Sequence, residues 1–567
     1  MRRKAKMAAA PSASAAHGGT ARTSSEHGTT AHASVGSASK APEHHSILSA
    51  EPPDAAQAGK SGYHWLGPVL IALIGAFMAI LDGSIVNVAI PTMMNVFNTG
   101  PDSIQWVSTI YLLALGVVTP LSGWLGDRMG FKRLYILSMG AFVAGSLLCT
   151  LAWDLNSLIV ARIIQAIGGG MIMPTTMAMI YRMVPREKIG AGMGIFGIAL
   201  LVAPAIGPTL GGYLVEYVDW RWIFTINLPI GVIGMFLAYF LLPEFQSKHP
   251  GKLDYAGALT SASALFCLLL ALSKGSSWGW GDEKTIMLFV VSFFSFVLFI
   301  YLELTSENPL LDLRAFKYAS FTLANLTIVV TTIGLFSGLF FLPLFLQNIR
   351  GIGAMETGLL MLPGALVSGM MMPLIGRLFD KIGPRPLVLA GLVLLAFITF
   401  LFRNLNLATA TTTVMVWTMI RGMTMPLAMM PAQTAAMADI PNELIGRASA
   451  ITNIVSRVSS SFGIAVLTSM LTARQAFHGA HLSWGLTAAN PVAAGMIARA
   501  GAAMGGGARG QGMALAYLQG MVAKTSFVNG IDDVFIVTAA LTLIALVPAL
   551  FLKKAAAGKA RGAAMAE

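Results

Sequence analysis

The sequence predicts an all-α polytopic membrane protein with fourteen spans. Two observations carry this. Of the 567 residues, 56% are hydrophobic and 11% are charged, less than half the ~25% charge of a soluble domain. Uncharged apolar runs recur from Trp65 to near the C-terminus, each close to the ~20 helical residues that cross a hydrocarbon core. Within lipid only helices and closed barrels satisfy their own backbone. These runs are too continuous for barrel strands, which alternate.

The elements follow in chain order. Residues 1–62 are rich in Ala, Ser, Gly, Thr and His and read as a disordered cytoplasmic tail. Its basic cluster, Arg2, Arg3, Lys4 and Lys6, leads into an Ala/Ser tract, not the apolar core of a signal peptide. A solvated tail is the plain reading, and contact with anionic lipid the alternative. Six spans at 65–91, 106–126, 133–152, 157–180, 190–214 and 221–242 form a first bundle within 63–247. Two more, 254–273 and 285–304, lie in an insert at 248–318. Six others, 321–347, 355–376, 386–402, 409–437, 443–473 and 531–552, form a second bundle within 319–553. Between the last two, 474–530 reads as a long loop on the outer, periplasmic side. Residues 554–567 form a second tail.

An even number of spans puts both termini on one side. With that side cytoplasmic, its tails and loops hold most of the 37 Lys and Arg, as the positive-inside rule requires. The net charge of +12 is thereby explained without a nucleic-acid partner. Cys149 and Cys267 fall inside apolar runs, against a disulfide framework. All nine histidines lie outside the expected spans. No Gly-rich phosphate loop, metal-ligand cluster or catalytic triad is present, so neither an enzyme nor a cofactor is expected.

An internal repeat is visible. Gly123-Trp-Leu-Gly-Asp127-Arg128-Met-Gly130-Phe-Lys132-Arg133 follows the second span, and Gly376-Arg377-Leu-Phe-Asp380-Lys381-Ile-Gly383-Pro384-Arg385 follows the tenth. Both join an inward span to an outward one, as a duplicated six-helix unit with two inserted helices would give. Gly130 permits a tight turn, and the flanking charges sit where helix dipoles end.

Four further patterns carry chemistry. Asp82, within Leu81-Asp-Gly-Ser-Ile-Val-Asn87-Val-Ala-Ile-Pro91, lies roughly 12 Å below the outer end of the first span. A carboxylate there must pair, face water or take a proton. It is either a proton carrier or a permanently paired tie between helices. Arg162, Gln165 and Gly169 share one face of the fourth span, with Arg162 roughly 7 Å from its outer end, so pairing with Asp82 is geometrically allowed. The alternative is an Arg snorkelling to the interface. Ala203, Gly207 and Gly211, within Ala203-Pro204-Ala-Ile-Gly207-Pro208-Thr-Leu-Gly211-Gly212, form a small-residue stripe for close helix packing, and the prolines allow a bend. Arg421 and Arg457 are further cations within spans. They either line a cavity or lock helices. Met residues such as Met173 and Met425 suit a pliable pocket or simple gap filling; Asn87 and Gln165 are polar candidates for a cavity wall.

With these motifs in order, the chain from about 65 to 555 resembles the major facilitator superfamily, and within it the fourteen-span drug/proton antiporters of the EmrB/QacA type. The resemblance implies a major facilitator fold in an inner membrane and proton-coupled export of small amphipathic compounds by alternating access. It implies proton coupling at Asp82 and Arg162. Gating would lie at the loop of Gly123, Asp127, Arg128, Gly130, Lys132 and Arg133, with a looser copy at Asp380, Lys381 and Arg385. The Pro204–Gly212 stripe would mark export. Ser84 stands where the family usually has Thr. Related exporters of double-membraned bacteria pass substrate to a periplasmic adaptor and an outer-membrane channel, which makes 474–530 a candidate docking segment. Rival readings are an exporter of one endogenous metabolite or siderophore, and a non-transporting membrane sensor.

Overall fold

The computed structural model describes residues 65–185, 188–244, 253–306, 309–406, 408–441, 443–484 and 491–552. The expected tails at 1–62 and 554–567 lie outside them. The described chain is nearly all helix. In the first half are α1 (Leu66–Val96), α2 (Trp106–Val118), α3 (Leu121–Met129), α4 (Phe131–Thr150), α5 (Leu155–Met183), α6 (Ile189–Tyr217) and α7 (Asn227–Leu241). The insert is α8 (Tyr255–Trp278) and α9 (Glu283–Thr305). The second half has α10 (Ala319–Asn348), α11 (Ala354–Ile382), α12 (Pro384–Leu401), α13 (Thr411–Gly422), α14 (Thr424–Met437), α15 (Ile445–Trp484), α16 (Pro491–Ala503) and α17 (Gly507–Ile544).

Among the described residues, 12 helices are long and apolar enough to cross a membrane, or 13 when α2 and α3 count as one span bent by 54°. Pro120 sits at that bend and cannot donate to the carbonyl of Gly116. Thr119 bridges the break, its hydroxyl donating to Leu115 O at 2.6 Å and Gly170 O at 3.2 Å. The expected span 409–437 is divided between α13 and α14, neither long enough alone to pass the same test.

The expected loop 474–530 is a correction. α15 continues through it to Trp484, α16 occupies its middle, and α17 begins at Gly507. These stretches are rich in Ala, the strongest helix former, which outnumbers even their many Gly and favours helix whether or not lipid surrounds it. Apolar run length tracks the membrane and is blind to that propensity. At 1.5 Å per residue, the 40 residues of α15 make a rod of about 60 Å, twice the ~30 Å hydrocarbon core.

Polar caps set several ends. Asp154 accepts from Ser157 N at 2.8 Å while Ser157 Oγ accepts from Asp154 N at 3.1 Å, a reciprocal capping box opening α5. The Ser157 hydroxyl and amide hold the Asp154 carboxyl below its ordinary range. Gly130, at φ 89°, ends α3 and starts α4 in one residue.

α6 is the seam of the molecule, packed on α1 in its own half and on α11 in the other. Its small residues allow this, as expected from the stripe. A Cβ at Gly211 would stand 2.8 Å from Ile85 Cγ1, and one at Gly207 would collide with the Ser84 hydroxyl. Gly212 faces open space. Gly211→Leu should therefore cost about 1–3 kcal/mol through overpacking. Gly212→Ala should stay within about 0.5 kcal/mol of the parent. Thermal melting of the purified variants checks both.

The inserted pair packs on itself, Ser292 Oγ donating to Ala264 O at 2.9 Å. α8 also joins both halves. Lys274 Nζ donates to Gln105 Oε1 at 3.3 Å, and beside it Trp280 Nε1 donates to Ser469 Oγ of α15 at 2.5 Å. The outer face of α9 exposes Phe293, Phe294, Tyr301 and Leu304, a surface suited to lipid.

Candidate functional site

The site begins with backbone contact between α4 and α5. Gly145 lies against the backbone of Gln165, and Gly168 against that of Ser138 and Phe142; a Cβ at either would collide. Such small residues let membrane helices approach closely. The approach sets the polar face of α5, with Arg162 and Gln165, beside the middle of α1. There Asp82 is fully buried and Arg162 is 1% exposed.

Every oxygen of Asp82 is engaged. Arg162 Nη1 donates to Oδ2 at 2.6 Å. Gln165 Nε2 and Asn227 Nδ2 donate to Oδ1 at 2.8 and 3.1 Å. Ser146 Oγ accepts from both amides at 2.7 and 3.3 Å. Arg162 is held in turn: its Nε donates to Val107 O at 3.2 Å, and its guanidinium lies 3.9 Å from the Tyr111 ring centroid. Four elements thus close on one carboxylate. An ion pair in such surroundings persists only with its remaining donors and acceptors satisfied.

Seven residues below the start of α5, Arg162 sits about 10 Å from the Asp154 end of the bundle. Asn87, one turn beyond Asp82, is exposed and accepts from Ser108 Oγ at 3.1 Å. Met173 is buried in the main apolar core, and Met425 packs against it, so both fill space between helices in this conformation.

A second charged cluster occupies the opposite end. Asp127, 5% exposed, lies 3.8 Å from Arg182 Nη2 of α5 and 3.7 Å from Arg447 Nε of α15. Arg447 Nη1 reaches Asp312 at 3.9 Å, in the segment joining the insert to the second half. Gly123 makes this closure geometrically feasible: a Cβ there would stand 3.1 Å from the Arg447 backbone. Arg128 lies over Trp124 at 5.0 Å, Lys132 over Tyr239 at 5.8 Å, and Arg133 pairs with Glu244 at 3.8 Å. The repeat behaves alike. Gly376 meets the backbone of Gly190, and Asp380 accepts from Gly190 N at 3.0 Å at the start of α6. Arg385 is exposed. Each half thus lays its Gly–Asp turn on the first turn of a helix from the other.

Arg421 is a clamp. Its Nη2 donates to Gly334 O at 3.2 Å and to Leu335 O, tying α13 to α10. Arg457 takes no such role. Sequence reasoning missed Asn227, Ser146 and Tyr111 around Asp82, and Arg182, Arg447 and Asp312 around Asp127. Asn227, a lone amide heading an apolar helix, was the one visible signal.

A two-part helical bundle with a sealed ion pair in one half and charged turns bridging the halves defines a membrane transporter class. The chain belongs to the Major Facilitator Superfamily, whose family model matches residues 72–464. It is 37% identical over 423 residues to the uncharacterized MFS-type transporter YhcA of Bacillus subtilis, covering 75% of this chain and 80% of that one. It is 31% identical to the lincomycin resistance protein LmrB of Listeria monocytogenes, over 71% of this chain and 86% of that one. To the multidrug resistance protein B homolog of Mycobacterium tuberculosis it is 32% identical, covering 71% and 75%. The fold is shared with the human organic anion transporter MFSD10 (TM-score 0.57, 13% identity, covering 86% and 99%) and the proton:xylose symporter XylE (0.56, 13%, 86% and 96%).

Proposed function

We propose that the protein is a proton-coupled exporter of small amphipathic compounds, working by alternating access as a fourteen-span antiporter in the inner membrane. The observation that carries this is the sealed Asp82–Arg162 pair. With Asp82 ionised, its charge and that of Arg162 cancel inside a low-dielectric bundle. A proton on Asp82 removes that cancellation and leaves a buried cation, which is costly. The helices holding it then favour another arrangement, and proton binding becomes a conformational signal. The resistance names of two relatives support export of foreign compounds, and the Pro204–Gly212 stripe on α6 supports the direction.

In this reading the Asp127 end faces the cytoplasm, where Lys and Arg concentrate, and both termini lie there. The α13–α14 pair supplies the remaining broken span. The projecting parts of α15 and α17 with α16 face the periplasm, where an adaptor protein leading to an outer-membrane channel would dock. Fluorescent dye efflux from cells, with and without an uncoupler, tests the function. Dye retention should rise on uncoupling to that of cells lacking the protein. Efflux that persists undiminished would leave another energy source in charge.

A further inference from the structure

We infer that Arg457 of α15 is the anion-recognising residue of the transport path, and that the preferred substrates are amphipaths bearing a carboxylate or sulfonate. The inference rests on the exporter reading and adds its substrate class.

The argument is a charge inventory of the bundle interior. Arg162 is neutralised by Asp82 at 2.6 Å. Arg421 spends its donors on α10 carbonyls. Arg457 is different: among the described residues its guanidinium makes no hydrogen bond, ion pair or ring contact, and its side chain is half-buried. An ionisable side chain within a span normally pairs or faces an aqueous path, and marks a ligand or ion route.

Its neighbours say which way it faces. Ser449, Asn453 and Arg457 recur every four residues and share one face of α15. Ser449 Oγ donates to Pro174 O at 3.1 Å, and Asn453 Nδ2 to Met177 Sδ at 3.8 Å, both on α5 of the other half. Arg457, one turn on, comes within electrostatic reach of Tyr111, whose other neighbour is the Arg162 guanidinium. The Tyr111 hydroxyl donates to Ala79 O at 3.3 Å, and among the described residues its oxygen accepts no hydrogen bond from Arg457. Arg457 therefore lies on the α15 face that meets α5 of the other half, and among the described residues its donor fork is unused. A planar carboxylate or sulfonate matches that fork. Ile454 and Val458, partly buried neighbours of Arg457 in the chain, are apolar, as the rest of an amphipath requires.

The test uses equilibrium binding to the full chain in nanodiscs of zwitterionic lipid, with matched probes. Anilinonaphthalene sulfonate is the anion, phenylnaphthylamine the same ring system without the sulfonate, and ethidium the cation. The parent should bind the sulfonate more tightly than the neutral probe. Arg457→Gln should weaken the sulfonate by about tenfold or more while changing the neutral probe by less than about twofold. Arg457→Lys should recover part of the difference, and Arg457→Glu should favour ethidium. Equal loss of both naphthalene probes, no loss of either, or a parent indifferent to the sulfonate would overturn the assignment. Melting temperatures confirm that each variant is folded. Transport of the same probes in liposomes is read separately. A parent that moves none of them yet keeps its charge preference in binding sinks the exporter reading alone. One that exports only the cation sinks the substrate class alone.

Discussion

Asp82→Asn should abolish proton-driven efflux, reducing it by about 10²-fold or more, the scale on which removing a positioned proton-transfer group acts. The amide keeps the shape of the carboxylate and an oxygen to accept from Gln165 and Asn227, which lie 2.8 and 3.1 Å from Oδ1. It cannot ionise, so Arg162 faces the same neutral partner whatever the pH. The bundle then has no charge difference with which a proton gradient could bias one arrangement over another. Exchange of substrate for substrate, which needs no gradient, should survive. The measurement is dye accumulation in liposomes with an imposed pH gradient, beside counterflow without one. Gradient-driven transport at the parental rate would assign Asp82 to helix tying.

Arg162→Ala should have the largest effect on stability, a loss of about 3–5 kcal/mol, as expected when one member of a buried ion pair is removed and the other stays charged. The loss has a second part, because the guanidinium stacks 3.9 Å from the Tyr111 ring centroid and such contacts contribute about 0.5–2 kcal/mol. The decisive comparison is the double variant Asp82→Asn with Arg162→Gln. Removing both charges together avoids the stranded anion, so its melting temperature in detergent should return most of the way to that of the parent. Its gradient-driven efflux should remain absent. A double variant as unstable as Arg162→Ala would place the cost in lost packing and not in the uncompensated carboxylate.

The two halves of this pair were legible in the chain because each is a charged residue in an apolar run, where lipid makes charge expensive. The i, i+3 spacing of Arg162 and Gln165 puts both on one helix face. Ser146 and Tyr111 carry no such mark, since uncharged polar residues are common in membrane helices, and Asn227 shows only as a lone amide heading an apolar helix. Their role depends on α4, α7 and α2 converging on one point. The same holds at the opposite end. Asp127 was readable as a charge at a helix end in a gating loop, but its partners Arg182 and Arg447 come from distant spans. Asp312, sharing Arg447 at 3.9 Å, comes from a connecting segment that periodicity does not describe.

By itself the sequence determined that this protein lives in a bilayer as a duplicated bundle, because hydrocarbon penalises every unpaired polar group and so writes its limits into the composition. It also determined which few charges had to be explained. Only the tertiary structure decided how they are explained: Arg162 cancelled by Asp82, Arg421 spent on backbone carbonyls, Arg457 without an ion pair among the described residues. It also decided that 474–484, 491–503 and 507–530 are helix. Contact between helices far apart in the chain depends on close approach at residues such as Gly145 and Gly168, and no local pattern encodes which neighbour such a residue will meet.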